Sequence, residues 1–388
     1  MNPARALAIA ALLGLFLPAC QAGEPGSGAS ADASAGPALV ALPPMPTPRA
    51  AHSATKLADG RVLLAGGCYA DGCEEGISGD ALLFDPARDA FSPAGLLVQA
   101  RVGHRAVALV DGSVLLLGGH TPDGPTAVVE RYDPTTGRFA AHGRLREARD
   151  GFSATLLADG SVLVVGGYTA GMRRLSSAER YDPATGKSRP VGDMAIPRMS
   201  HTASLLADGR VLVAGGSHSR GEVDGTLELF DPGSARFSPA GSLARARHKH
   251  AAIAFDDRVL LLGGASIPEA DGHFTDSEWW SPTNGVTPGP RLQLGRYKFL
   301  DAVARLDDGR SLVAGGGGSA ELLDVNGSDF APVAGDIGAA LAFASATTLD
   351  DGRVLVAGGY DADIRVSSQA WLFLSTPGAN ASASRTAD

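Results

Sequence analysis

Apolar residues in this chain come in short runs that end on a pair of glycines. The pairs fall at Gly66-Gly67, Gly118-Gly119, Gly166-Gly167, Gly215-Gly216, Gly263-Gly264, Gly315-Gly316 and Gly358-Gly359, with spacings of 52, 48, 49, 48, 52 and 43 residues. Each run is four or five residues long and follows a segment in which apolar and polar residues alternate, the signature of strands. Between the two segments stands Asp-Gly, at Asp59, Asp111, Asp159, Asp208, Asp308 and Asp351, with Asp256-Asp257 as the one departure. Asp-Gly favours a two-residue hairpin loop with positive φ at both positions, so each unit is expected to open with a hairpin. A third strand ends in Asp-Pro, as in Glu130-Arg-Tyr-Asp-Pro134, because proline cannot donate to a ladder. A fourth is expected around Phe91, Phe139, Phe237 and Phe330, each seven residues beyond the aromatic residue or leucine of the third.

Four antiparallel strands in each of seven units predict an all-β, seven-bladed β-propeller over residues 38–376. The last unit lacks an outermost strand, whereas Ala38-Leu-Val-Ala-Leu42 is an apolar run with no partner in its own unit. This N-terminal segment is expected to complete the last blade and so remove the open edge. The pattern Arg-x-x-His-[ST]-Ala, Asp-Gly, apolar run, Gly-Gly, Tyr-Asp-Pro and distal aromatic resembles the kelch repeat. Leu206-Ala-Asp-Gly-Arg-Val-Leu-Val-Ala-Gly-Gly216 is similar to the propeller of the galactose oxidase family in particular. The chain departs from that repeat where Ser188 and Thr287 replace the distal aromatic and where Ala344 stands in the place of histidine.

The segments after each Gly-Gly and those that carry Arg-x-x-His lie on one face of such a ring. From the second glycine to the third-strand reference residue the gaps are 17, 13, 14, 14, 16 and 7. Variable loops on a rigid scaffold are the usual place for recognition, so this face is expected to bind, across the loops of units one, two and five and the central mouth. The repeat would bring Arg49, Arg101, Arg149, Arg198, Arg247 and Arg296 to the mouth. There they either receive an anionic ligand through bidentate hydrogen bonds or pair with carboxylates and carbonyls of the blades. His52, His104, His201 and His250 share one repeat position with Phe152. Phenylalanine in that place argues for packing and an inter-blade hydrogen bond over a metal site, and no metal or other cofactor is expected. Cys68 and Cys73 are expected to form a disulfide closing a short loop, and Asp361-Ala-Asp363 is too small a set to define a calcium site.

Residues 1–19 read as a secretory signal: one positive charge at Arg5, an apolar run from Ala6 to Leu17, and small residues before Cys20. Leu17-Pro-Ala-Cys20 resembles the lipobox of bacterial lipoproteins, which would make Cys20 a lipidated first residue. Residues 20–37 are mostly Gly, Ala, Ser and Pro, a flexible tether. Gln21 in place of aspartate points to the outer membrane. Residues 377–388 form a polar tail expected to be disordered. The net charge of -9 and a total of four lysines leave no basic stripe for nucleic acid.

No nucleophile elbow, phosphate loop or metal-protease motif is present. The expectation is therefore an envelope-anchored, monomeric, non-enzymatic module that binds a glycan or an envelope protein. The alternative implied by the resemblance is a propeller enzyme acting on sugars, of the sialic acid mutarotase kind or a copper radical oxidase. For the oxidase, Cys68-Tyr69 supplies residue types but the adjacent Tyr-His pair is missing. A third reading is structural assembly within an envelope complex.

Overall fold

In the computed structural model, residues 36–71, 73, 76–219, 222–266 and 272–375 are described. The expected signal sequence, lipidated Cys20 and tether, within residues 1–35, and the expected disordered tail, within residues 376–388, lie outside them. Seven four-stranded antiparallel sheets form a ring. Blade 1 is built from Ser53–Lys56, Val62–Ala65, Asp80–Asp85 and Ala90–Leu96. Blade 2 follows with Arg105–Ala108, Val114–Leu117, Val128–Asp133 and Arg138–Arg144. Blades 3 to 7 begin at Ser153, Thr202, Ala251, Val303 and Ser345. The first strand of every blade packs beside the first strands of its two neighbours, so these seven strands surround the central channel. Among the described residues no helix is long and apolar enough to cross a membrane.

The second strands, such as Val62–Ala65, Val114–Leu117 and Val211–Ala214, are buried along their whole length. They are covered on both faces by adjacent blades, which explains why they read as continuous apolar runs rather than alternating ones. The distal aromatic residues pair as the spacing implied: Phe84 is in register with Phe91, Tyr132 with Phe139 and Phe230 with Phe237, with ring centres 5.1, 4.8 and 5.0 Å apart.

The Asp-Gly turns differ in detail from expectation. The Leu57 N–H donates to Arg61 O and the Gly60 N–H to Leu57 O, giving a three-residue loop in which only the glycine has positive φ, 83°. The aspartate instead accepts the N–H two residues on, at 3.1 Å from Asp59 Oδ1 to Arg61 N. A type I turn followed by a left-handed glycine satisfies the loop without forcing aspartate into the left-handed region. The one two-residue loop of this kind is Asp256-Asp257, bridged from Phe255 N to Arg258 O.

Ala38–Ala41 pairs antiparallel with Ala370–Leu374 and is the outermost strand of blade 7. It also reaches the neighbouring blade, where Leu39 N–H donates to Ala334 O at 2.8 Å. Leu39 is buried in the same apolar cluster as Val333, Trp371 and Phe373.

Candidate functional site

Two rings of main-chain hydrogen bonds set the geometry of the loop face. In the first, the N–H of the second glycine in each blade donates to the carbonyl of the residue that opens the next connector. Gly67 donates to Arg101, Gly119 to Arg149 and so on to Gly359, which donates to Arg49; all seven bonds are made, at 2.7 to 2.9 Å. Glycine is required here: Gly66 and Gly67 have φ of 61° and 97°, and a Cβ on Gly66 would lie 2.5 Å from Arg101 O.

The arginines of these connectors are not at the mouth as ligands would need them. Arg49, Arg101, Arg198, Arg247 and Arg296 are 0% exposed and Arg149 is 1% exposed. Arg101 shows the arrangement: it donates through Nη1 to Gly118 O at 2.9 Å and through Nη2 to Glu130 Oε1 at 2.5 Å. Glu130 in turn accepts the Val98 and Gln99 N–H groups of the incoming connector. Arg149 pairs likewise with Glu179, Arg198 with Glu228, Arg247 with Glu278 and Arg296 with Glu321. Blade 1 has Leu82 in the glutamate position, and Arg49 turns instead to Asp80 and Thr47. The expectation of an arginine-lined binding mouth is thus corrected. Burial pushes the Arg101 pKa down, the Glu130 carboxylate opposes that shift, and the pair locks each connector to its blade.

The four histidines lie one step nearer the channel and bridge blades. His52 Nε2 is 2.9 Å from Ser345 Oγ, His104 from Ser53 Oγ, His201 from Ser153 Oγ, and His250 is 3.0 Å from Thr202 Oγ1. Burial, followed by the nearby arginines, pushes the pKa of His52 and of His201 down to about 3. Where histidine is missing, so is the hydroxyl: Phe152 faces Arg105, Phe299 packs with Ala251, and Ala344 with Ala302.

The second ring runs around the mouth itself. The residue before each histidine position, Ala51, Gly103, Gly151, Ser200, Lys249, Lys298 or Phe343, is left-handed in all seven blades. Six of them donate their N–H to the same position of the preceding blade, from Gly103 N to Ala51 O at 3.0 Å through to Ala51 N to Phe343 O at 3.1 Å. The Gly151 N–H alone turns away, to Asp150 Oδ1 at 2.5 Å. The Asp150 carboxylate fills the break, so close that a Cβ on Gly103 would lie 2.7 Å from it. Its other oxygen accepts the Tyr168 hydroxyl at 2.6 Å, and His120 Nδ1 lies 3.4 Å from that hydroxyl oxygen and 3.8 Å from Asp150 Oδ2. Burial raises the Asp150 pKa, and burial together with the Asp150 charge raises that of Tyr168.

Below the mouth, Arg105 of blade 2 reaches across the channel to Asp301 of blade 6, its Nη1 2.9 Å from both carboxylate oxygens. Arg105 takes the place of the hydroxyl residue of other blades. Asp301 stands in a two-residue insertion, visible in the spacing from arginine to the first glycine, which is 17 residues in blades 1 to 4 and 19 in blade 6. Above this pair lies a cavity of about 520 Å³. Asp150, Tyr168 and His120 line one side, Lys249, Phe343 and Tyr360 another, and Leu300 and Asp301 the floor. Cys73, joined to Cys68 by a disulfide, brings the first loop to its rim.

The expectation singled out this mouth and the loops of units one and two, which the cavity uses. Unit five contributes Lys249 from its connector, and residues 267–271 of its loop lie outside the described set. Sequence reasoning expected the loop that His120 opens to bind but did not single out Asp150, Tyr168, Lys249 or Asp301, because the first three stand at repeated backbone places whose side chain changes from blade to blade and the last stands in an insertion. The spacing of 19 was the available signal for Asp301. The Asp-Gly face is also less bare than expected: an open groove of about 920 Å³ lies between blades 2 and 3. Two of the arginines that line it are engaged, Arg131 with Asp111 and Arg180 with Asp159.

A model of the Kelch motif matches residues 101–140 and 152–195. No curated protein matches the chain. Among solved structures, a fungal alcohol oxidase of the AA5 family in complex with copper superposes with a TM-score of 0.66 at 17% identity, over 86% of this chain and 75% of that one. The residues here do not fit a copper centre of that kind. Cys68 is held in a disulfide, the ring histidines are turned to hydroxyl groups, and among the described residues no three His, Cys, Asp or Glu side chains converge to hold a metal. The chain is a β-propeller of seven blades that carries Kelch motifs over residues 101–140 and 152–195 and is similar in fold to the AA5-family oxidase.

Proposed function

We propose that the protein is a binding module that receives a glycan unit, free or displayed on an envelope partner, in the loop-face cavity. The observation that carries this reading is where the repeat is broken. Blade after blade repeats its clamps and hydrogen bonds, yet Asp150, Arg105 and the insertion at Asp301 depart from them, and all three border one cavity. A volume of about 520 Å³ suits a small ligand. Lipidation at Cys20 would hold the module at the outer membrane, a role supported by the lipobox-like sequence and the polar tether after it.

Glycan-array binding with the full chain, followed by Tyr168→Ala and Phe343→Ala, tests the reading. Loss of binding in both variants with unchanged melting is expected. Binding that survives both, or that is lost only on changing the groove residues Asp111 and Arg131, overturns it. For the anchor, labelling with a palmitate analogue is expected in the full chain and absent in Cys20→Ser; equal labelling refutes it.

A second reading, an enzyme that moves protons on a bound sugar, draws on the Tyr168 hydroxyl bonded to a buried carboxylate beside His120. It predicts that Asp150→Asn abolishes turnover of a bound ligand while leaving its affinity within a few-fold.

A further inference from the structure

The break in the ring of mouth hydrogen bonds leaves one acceptor over. At six of the seven left-handed positions the carbonyl accepts the N–H of the next blade. Because the Gly151 N–H turns to Asp150, the Gly103 carbonyl receives none. Among the described residues it has no other partner. A carbonyl without a protein donor takes its hydrogen bond from water or from a ligand. Gly103 borders the cavity and stands against the Asp150 carboxylate, so the two acceptors share one place.

Asp150 also differs from the other inward carboxylates. Among the described residues Glu130, Glu179, Asp224, Glu228, Glu278 and Glu321 are buried, and each is held by an arginine. The Asp150 side chain is only 16% exposed, yet no described lysine or arginine lies within ion-pair distance of it. Its partners are the Gly151 N–H, the Tyr168 hydroxyl and, 3.8 Å away, His120. A carboxylate withdrawn from water without a cation bears a desolvation cost that a cation placed beside it offsets. Tyr168 gives its one proton to Asp150, which leaves the phenol oxygen as a third acceptor at the same place.

Resting on the binding reading above, we infer that a ligand ammonium group occupies the break, so that the ligand is an amino sugar whose nitrogen carries no acyl group. Its three N–H donors match the Gly103 carbonyl, the Asp150 carboxylate and the Tyr168 oxygen. The sugar ring rests against Phe343 and Tyr360, whose rings lie 5.8 Å apart and tilted by 56°. On the floor, Arg105 uses Nε on Phe152 O and Nη1 on Asp301, and Nη2 has no acceptor among the described residues. With the exposed Asp301 carboxylate beside it, a donor and an acceptor remain there for hydroxyl groups. Lys249, the lysine of the cavity, belongs to blade 5, away from the break between blades 2 and 3, and its ammonium lies 5.3 Å from the Tyr297 ring. The anionic ligand that an arginine-lined mouth would draw gives way to a cationic one, because the arginines are internal.

The test compares D-glucosamine, N-acetyl-D-glucosamine and D-glucose by titration calorimetry on the full chain, at a pH that keeps the free amine charged. Glucosamine is expected to bind more tightly than either neutral sugar by about tenfold or more. Asp150→Asn keeps the shape and removes the charge, and should lose about tenfold or more for glucosamine with cooperative melting retained. The sugar comparison uses the unaltered chain, so it decides the matter even where that variant fails to fold. Equal affinity for the three sugars, no binding of any, or undiminished glucosamine binding by Asp150→Asn overturns the inference. If neutral glycans bind in a manner abolished by Tyr168→Ala but indifferent to Asp150→Asn, the amine class falls and the cavity reading stands. If binding instead follows Asp111 and Arg131, the cavity reading falls as well.

Discussion

Leu341 and Trp371 occupy, in blade 7, the places that Arg101 and Glu130 occupy in blade 2, and the two lie together in one buried apolar cluster. The connector arginine and the third-strand glutamate are thus replaced as a unit. Blade 1 makes the same point differently, because losing the glutamate to Leu82 moves the partner of Arg49 to Asp80.

Breaking one such pair leaves an uncompensated buried charge. Glu130→Ala is expected to cost about 3–5 kcal/mol, measured by denaturant unfolding. Arg101→Leu combined with Glu130→Leu should lose less than the sum of the two single changes, by roughly 0.5–3 kcal/mol. Strict additivity would show that the two side chains act independently.

The buried histidines make stability depend on acid. His52 and His201 have folded-state pKa values near 3 against about 6.5 when unfolded. The unfolded chain therefore binds more protons between those values, so stability is fully present above about pH 6.5 and falls as pH drops toward 3. His201→Phe with Ser153→Ala copies the neutral pairing of Phe299 with Ala251. This variant should lose less melting temperature than the parent between pH 7 and pH 4; parallel losses would place the acid sensitivity elsewhere.

The bridge across the channel is expected to shape the cavity more than to stabilise the ring. Side chains of Arg105 and Asp301 are 23% and 54% exposed, and exposed pairs contribute about 0.2–1 kcal/mol. Asp301→Ala should stay within that range in thermal unfolding. A loss above about 2 kcal/mol, well outside what such pairs supply, would make the bridge a keystone of the fold.

Removing Ala38–Ala41 exposes the edge of Ala370–Leu374 and uncovers Trp371 and Phe373. An open apolar edge templates association, so the truncated chain should aggregate on heating and melt lower in light scattering and circular dichroism. A monomeric chain with unchanged melting would mean that closure lies in the inner strands.

The frame was legible because it repeats. Gly-Gly, Asp-Gly and the distal aromatics each serve a backbone need that recurs in nearly every blade. The clamp was legible in part: Glu130, Glu179, Glu228, Glu278 and Glu321 each stand two residues before the third-strand reference residue. Their absence from the unit whose connector carries Leu341 was the sign that arginine and glutamate belong together. What stayed hidden was the direction of the arginines, since one sequence pattern serves a side chain turned to the mouth or into the blade. Asp150 was hidden for another reason. Its backbone place recurs but its side chain does not, and its role comes from a hydrogen bond that the ring fails to make.

The strand that finishes blade 7 is among the first segments of the ring to be synthesised, and its partner Ala370–Leu374 is the last. Until translation reaches that partner, Leu39 has no sheet to join. The growing protein is an open arc with an unfinished seam, and ring closure is the contact of longest range in the fold, the kind that slows folding. Whatever guards a nascent chain against premature association must therefore shield Ala38–Ala41 for the whole time the other blades are being made.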